Sequence, residues 1–544
     1  MFKNRPRVPV AVVTLLLSAA FVLIYNLPFW HALSGANAAA GDRAWLLMGA
    51  VGAALILIFN VLLSLLSWPY LTKPVAVILL ILSASLAYFM HKYGVMIDVD
   101  MVRNVTETDP AEATELFDSQ MLAYIVGLGG LPAALVCWVR VDYGNSWWKG
   151  LLLRGGALVL SAALAGGLVM SFYQDIASIA RNNRQLCFLL VPSNVLQAGY
   201  SYAKSATGKP REIKPIGEDA HRDPAEAARP KKALTVIVVG EAARAANFSL
   251  NGYARETNPL LKKQDGLINF PNAHSCGTET AVSVPCMFSG LGRENYSDEK
   301  GKSQQGLLDV LKRAGVEVLW RDNNSGCKGA CDRVAYESAD DYRGKLPESC
   351  GDDECYDEAM LYKLQDYVDQ LKGDAVIVLH QKGSHGPAYY LRYPQRFDAF
   401  QPTCRTNQLQ ECSREEITNV YDNTILYTDY FLSQTIAFLK KNGGRFDTSM
   451  IYMSDHGESL GENNMYLHAT PYLFAPDVQK HIPMMVWLSD GYQKDFGVNT
   501  ACLKARAAQP HSQDNLFHSV LGIMNVKTRL YQPELDLFRP CRPS

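Results

Sequence analysis

The chain has 544 residues, 48% of them hydrophobic, with a formal net charge of −2. That length leaves room for more than one domain. The near-neutral balance gives no electrostatic footprint for a polyanion, so nucleic acid is excluded as a partner.

Apolar residues are concentrated at the start. Five runs, near 8–28, 44–67, 73–92, 120–140 and 152–172, are long enough to cross a bilayer as helix, which takes about 20 residues. Lys3, Arg5 and Arg7 precede the first, Lys73 follows the second, and Arg140, Lys149 and Arg154 follow the fourth, whereas the loop from 93 to 119 is acidic. The basic residues therefore alternate sides, place the N-terminus in the cytoplasm and leave everything after the fifth crossing outside. Ala36-Asn37-Ala38 resembles a signal-peptide cleavage site, but the preceding run exceeds a secretory core and four more spans follow. Residues 1–175 are thus expected to form a transmembrane domain.

The next stretch, 176–232, is expected to be a membrane-surface helix and a linker. Tyr173–Lys204 mixes apolar and aromatic residues as an interfacial helix would; Ser205–Lys232 is rich in Pro and charge, the composition of a linker.

From 233 to 544, short apolar runs alternate with helical patterns. The runs Leu234–Val239, Val316–Trp320, Ala375–Leu379, Met450–Met453 and Met484–Leu488 are continuous, as parallel strands buried on both faces should be. Gly306–Ala314, Tyr356–Leu371 and Glu415–Lys441 have helical spacing, and Ala281–Leu291 is also expected to be helical. Strands and helices in turn predict an α/β sandwich with a mostly parallel sheet. Ten of the twelve cysteines fall between 276 and 541, which fits an oxidising compartment. Nearest neighbours pair as Cys276–Cys286, Cys327–Cys331, Cys350–Cys355, Cys404–Cys412 and Cys502–Cys541; the alternative is a zinc site of Cys327, Cys331, Cys350 and Cys355.

Polar residues gather just after the apolar runs: Glu241, Asp322 to Lys328, His380 to His385, and Asp455 to Glu458. In open α/β sheets, ligands bind beyond the carboxyl ends of strands, so these positions point chemistry at one edge. A carboxylate at Glu241, ending so apolar a strand, needs a partner or a metal. The salt-bridge reading pairs it with Arg244. Asp455 and His456 offer oxygen and nitrogen ligands from adjacent positions; mixed carboxylate and imidazole donors favour zinc, with manganese as the alternative. Between Cys276 and Cys286 lie the candidate nucleophiles Thr278, Thr280 and Ser283, and Thr280 opens the helical segment, where an anion is stabilised. The ion would lower a hydroxyl pKa and polarise a phosphoryl oxygen. His385 and His468 could donate protons, hold a second metal or bind phosphate, or be structural. Lys328 is a candidate phosphate ligand, with an exposed lysine as the bland reading.

Five motifs carry a resemblance over nearly the whole chain: Val239-Gly240-Glu241, Ser275–Ser289 (SCGTETAVSVPCMFS), Arg321–Asp332 (RDNNSGCKGACD), Gly383–Tyr390 (GSHGPAYY) and Ser454–Gly461 (SDHGESLG). The chain resembles the lipid A phosphoethanolamine transferases of Gram-negative inner membranes, a group within the alkaline phosphatase/sulfatase superfamily that includes the mobile colistin-resistance enzymes. The resemblance implies a sulfatase-like periplasmic catalytic domain over 233–544 and a multi-pass inner-membrane location. It makes Thr280 the nucleophile, and Glu241, Thr280, Asp455 and His456 the zinc ligands. His385 and His468 become assistants in proton transfer or substrate binding, and Lys328 and Ser325, in the same motif, substrate contacts. Glu112 is the expected match to an acidic headgroup-binding residue, with Glu115 close by. The donor implied is phosphatidylethanolamine and the acceptor lipid A, with lower surface negative charge and polymyxin resistance as the consequence. Phosphoethanolamine or phosphoglycerol transfer to core sugar or another glycan is the neighbouring reading, and a silent receptor the distant one. A hydrolytic sulfatase would need a Cys/Ser-x-Pro-x-Arg motif, which is missing around Thr280.

Overall fold

The computed structural model describes residues 5–36, 44–107, 117–144, 147–173, 183–206, 213–222, 231–351, 354–407 and 409–542, with Ile176, Ile179 and Arg229. The chain divides into two compact units, one of Met1–Val102 with Phe117–Lys204, the other of Arg103–Leu116 with Ser205–Ser544.

In the first unit, the helices Trp45–Leu66, Thr72–Tyr93, Ser119–Trp138 and Arg154–Ser171 are each long and apolar enough to cross a membrane. The run expected at 8–28 is not one straight span. It is the helix Val10–Ile24 followed by Leu27–Gly35 after a 57° bend, a fifth crossing if the pair counts as one. Asn26 sits at the bend: its amide donates to Phe21 O at 2.8 Å and Val191 O at 2.9 Å and accepts Val191 N at 2.8 Å. It thereby satisfies a carbonyl at the end of the first helix, and Pro28 enters the second where its missing N–H costs nothing. The helix expected over Tyr173–Lys204 is interrupted too, into the 3-10 turn Arg184–Leu189 and the helix Ser193–Ala206, on either side of Pro192.

The second unit is built on an eight-stranded sheet. In chain order its strands are β1 (Lys232–Gly240), β2 (Leu267–His274), β3 (Glu317–Asp322), β4 (Ala335–Ser338), β5 (Ala375–His380), β6 (Phe446–Ser454), β7 (His481–Leu488) and β8 (His511–Ser512). The spatial order is β8-β2-β7-β6-β1-β5-β3-β4. β1 runs parallel to β5 and β6, and β3 parallel to β5 and β4. β7, expected as a parallel strand, is antiparallel to both β6 and β2. Helices Thr280–Ser289, Leu307–Arg313 and Asp514–Ile523 pack one face through Val284, Met287, Leu311 and Val520. Arg414–Asn442 and Leu364–Gln370 pack the other through Ile425, Phe431, Leu432 and Val368. This three-layer burial explains why β1, β5 and β6 read as unbroken apolar runs.

Two further expectations are corrected. The pattern over Tyr356–Leu371 breaks at Lys363, whose φ of +52° separates the 3-10 turn Asp357–Leu361 from the helix Leu364–Gln370. The stretch expected as linker is partly tied down: Lys214 bridges Gln304, and His221–Arg222 pairs with Val526–Lys527. All five neighbouring cysteine pairs are disulfides, so the four-cysteine zinc site is ruled out.

Candidate active site

Parallel β1 and β6 end side by side, with Gly240 opposite Ser454. Their next residues are Glu241 and Asp455, both fully buried, and Asp455 N donates to Gly240 O at 2.9 Å. Backbone holds these carboxylates from behind. Ala242, in the left-handed region at φ +53°, gives its N–H to Asp455 Oδ1 at 3.2 Å, and His456 N adds a bond to the same oxygen at 2.7 Å. Gly383 packs onto Glu241: a Cβ there would lie 2.7 Å from Glu241 O, and its φ of +53° also suits glycine. In the Asp455-His456-Gly457 turn, a Cβ on Gly457 would meet Val478 O at 2.1 Å.

One ligand atom each from Glu241, Asp455 and His456 lies within 4.8 Å of the others. His456 Nδ1–H donates to Gly457 O at 2.8 Å, so Nε2 carries the lone pair. That nitrogen lies 3.2 Å from Glu241 Oε1 and 3.4 Å from Asp455 Oδ2, and neither oxygen accepts a hydrogen bond. Three buried electron-pair donors therefore face one another. Two ligands on a tetrahedral ion with bonds of about 2.05 Å stand about 3.3 Å apart, so the spacing fits a metal. Burial alone would raise Glu241, but the neighbouring histidines when protonated, His456 foremost, hold it well below the usual carboxylate range; Asp455 is raised by burial and by Glu241 beside it.

Thr280 is the first residue of the helix Thr280–Ser289. Its hydroxyl donates to Glu241 Oε2 at 2.8 Å and lies 3.4 Å from His456 Nε2. Thr278 turns away and donates to Thr470 O at 2.7 Å; Ser283 Oγ accepts Gly277 N at 2.9 Å. Of the three hydroxyls, only that of Thr280 has a bond to the carboxylates. Arg244 does not pair with Glu241: it bonds Glu458 O and forms an ion pair with Glu462.

The His468 ring lies tilted by 41° against that of His456, with centroids 4.3 Å apart, and the His385 ring centroid stands 5.3 Å from that of His468. His468 Nδ1 lies 3.3 Å from Glu458 Oε2. The flanking Leu467 and Ala469 both have φ of +65°, a strained conformation for non-glycine residues that recurs at functional sites. Lys328 donates to Ser325 Oγ at 2.9 Å and to Ser325 O at 3.0 Å. It lines a cavity of about 400 Å³ with Phe288, Lys302 and Arg333, and none of the four centre residues shares that lining. Glu112 and Glu115 lie outside the described residues.

Two residues at the centre had no role in the sequence reading. Asn324 donates to Glu241 Oε2 and to Gln381 O, both at 2.8 Å. Gln513, fully buried, donates to Ser454 O at 2.8 Å and Asp455 O at 2.6 Å and accepts Cys276 N at 2.7 Å, tying the Asp-His turn to the loop that precedes Thr280. Asn324 lies inside a quoted motif and was within reach of sequence reasoning; Gln513, 237 positions from Cys276, gave no local signal.

The three-layer domain with an acid-and-histidine centre at the carboxyl edge of its sheet falls in the sulfatase family, whose model matches residues 233–526. A second family model, phosphoethanolamine transferase EptA/EptB, matches residues 55–207. Phosphoethanolamine transferase EptA of Escherichia coli (strain K12) is 46% identical over 486 residues, 89% of this chain and 88% of that protein. Phosphatidylethanolamine transferase Mcr-1 of Escherichia coli is 41% identical over 495 residues, 89% of each. The integral membrane lipooligosaccharide phosphoethanolamine transferase A from Neisseria meningitidis superposes with a TM-score of 0.95 at 37% identity, covering 99% of this chain and 100% of that one. The chain belongs to the EptA family of phosphoethanolamine transferases. It is an integral membrane protein, and its sulfatase domain is the periplasmic part.

Proposed function

We propose that the protein transfers phosphoethanolamine from phosphatidylethanolamine to a phosphate of lipid A by two displacements on Thr280. The observation that carries this reading is the Thr280 hydroxyl bonded to Glu241 beside Asp455 and His456, in a chain of this family. Glu241, Asp455 and His456, with the Thr280 oxygen, would hold a zinc ion. Bound there, zinc supplies Lewis-acid charge that lowers the hydroxyl pKa and polarises a phosphoryl oxygen.

The residues themselves do the rest. Glu241 Oε2 accepts the Thr280 hydrogen bond and orients the oxygen toward its target. The helix N-terminus at Thr280 places backbone dipoles at developing negative charge. In the first displacement the Thr280 oxygen forms a bond to phosphorus and passes its proton to Glu241 Oε2, the oxygen that accepts its hydrogen bond. The phosphorus–oxygen bond to diacylglycerol breaks, and that oxygen takes a proton from His468 or His385. In the second, a lipid A phosphate oxygen attacks the phosphoethanolamine-threonine and yields its proton to the histidine, the Thr280–phosphorus bond breaks, and Thr280 takes its proton back from Glu241. Two inversions give net retention at phosphorus. Lys328, Ser325 and Glu112 are proposed to contact the substrates. Anchoring in the inner membrane confines the site near both lipid headgroups and raises their effective concentration.

The added ammonium offsets negative surface charge, and weaker binding of polymyxin and other cationic peptides follows. Mass spectrometry of lipid A from cells expressing the protein tests the assignment. A gain of one phosphoethanolamine group that requires Thr280 is expected; unmodified lipid A beside a phosphoethanolamine-bearing core sugar or glycan would reassign the acceptor.

A further inference from the structure

The turn that follows β5 carries His385, and its backbone is gripped at both ends by buried charge. Asp357 holds the start. Its Oδ1 accepts Lys382 N at 2.7 Å and Asn323 Nδ2 at 2.8 Å; its Oδ2 accepts Gly383 N and Gln381 Nε2, both at 3.1 Å. Each oxygen thus uses both of its lone pairs. Burial raises this acid and the four donors lower it. None of the four can accept, so a proton on Asp357 would displace one of them.

Arg392 holds the end. Its guanidinium is buried, its Nε donates to His385 O at 2.8 Å, and its NH1 pairs with Glu354. Lys382 Nζ lies 3.0 Å from Glu354 Oε1. Glu354 and Asp357 flank Cys355, which is disulfide-bonded to Cys350 and fastened through its carbonyl to Asn323 Nδ2 at 2.9 Å. One braced stretch, 354–357, therefore anchors both grips. Between them Ser384 N donates to Glu241 O at 2.9 Å. The Glu241 carboxylate keeps its own bonds to Thr280 and Asn324, so what depends on Asp357 is the run of backbone leading to His385.

We propose that Asp357 is a positioning residue for the transfer reaction: it fixes the Lys382 and Gly383 peptides and, with Arg392 at the far end of the turn, sets where His385 stands beside His468. The proposal rests on the reading above, in which these histidines serve the transfer. The bonds of Asp357 go to the turn and to Asn323, so it acts on the reaction through the turn.

The test uses the full-length protein as Asp357→Asn, His385→Ala and the two combined. The amide keeps one acceptor oxygen and turns an NH2 toward two donors, so two of the four bonds are lost. The expected result for Asp357→Asn is a kcat about 10- to 100-fold lower, the cost of a displacement of about 1 Å, with KM little changed and bound metal equal to wild type. Because Asp357 acts through His385, the combined variant should be no more than about twofold slower than His385→Ala alone. Arg392→Lys keeps a cation for Glu354 but not the bond to His385 O; it should show the same pattern and serves if Asp357→Asn fails to fold. Costs that multiply, loss of bound metal, or an unchanged kcat would overturn the proposal. Hydrogen–deuterium exchange of the 381–386 backbone needs no turnover and should speed up about tenfold in Asp357→Asn. Unchanged exchange would refute the grip even where transfer proceeds. Faster exchange, in a protein whose wild type transfers no phosphoethanolamine, would uphold the grip and strike the reading above.

Discussion

Thr280 and Glu241 stand 39 positions apart in the chain, yet the hydroxyl of one donates to the carboxylate of the other at 2.8 Å. The threonine is thus held by a hydrogen bond and by its place at a helix start. Thr280→Ala should abolish formation of the covalent intermediate while leaving metal bound through Glu241, Asp455 and His456. Thr280→Ser should retain measurable transfer, because the hydroxyl survives. Single-turnover assays with purified protein and metal analysis of the same samples check both outcomes.

Asn324 fixes Glu241 through the oxygen that also receives the Thr280 bond. Asn324→Leu should lower metal affinity by about 10- to 100-fold, the usual cost of losing an outer partner of a metal ligand. Asn323→Leu serves as contrast. Asn323 bonds Cys355 O and Asp357 Oδ1 instead, so its loss should lower the melting temperature and leave metal affinity largely intact.

Gln513 makes three bonds between the Asp-His turn and Cys276. Gln513→Met keeps the volume and leaves two carbonyls and one N–H unpaired, at about 1–3 kcal/mol for each buried group. The expected result is a lower kcat with KM little changed, since the groups displaced are those that position Thr280 against the turn. Steady-state kinetics with a soluble donor analogue give the split.

The disulfides should differ in what they contribute. Cys502–Cys541 closes a 39-residue separation and Cys327–Cys331 one of 4. Loop-closure entropy then assigns about 4 kcal/mol to the first and about 2 kcal/mol to the second. Denaturant titration of Cys502→Ser/Cys541→Ser and Cys327→Ser/Cys331→Ser should show the larger loss in the first pair.

Acid should destabilise the domain partly through His518. Burial lowers this imidazole to about 4, with Glu534 opposing weakly, and its Nδ1 accepts Gln532 N at 3.2 Å. A depressed folded-state value means the unfolded chain binds more protons between pH 6.5 and 4, so stability is present above that window and lost on descending through it. His518→Asn keeps an acceptor without the titration and should flatten the pH dependence of the melting temperature there.

Much of this centre was legible because burial on both faces leaves a plain mark. β1 and β6 are unbroken apolar runs, and Glu241 and Asp455 stand out as charges placed where charge is costly. The direction of β7 was not legible, since an apolar run buried on both sides reads alike in either orientation. β2, with Pro271 and two asparagines in eight residues, carries turn-like chemistry and hid as a strand. Asn323 and Asn324 are chemically identical neighbours; only the loop's path sends one to Asp357 and the other to Glu241. The bend at Asn26 depends on Val191, 165 positions away, and long-range contacts of this kind leave no local pattern.

The most direct test of the account is the mass of the protein after incubation with phosphatidylethanolamine and no acceptor. One phosphoethanolamine group should be gained per chain and map, on digestion, to Thr280 in the 276–286 segment. An unmodified protein that nonetheless releases diacylglycerol, or an adduct on any residue other than Thr280, would contradict it.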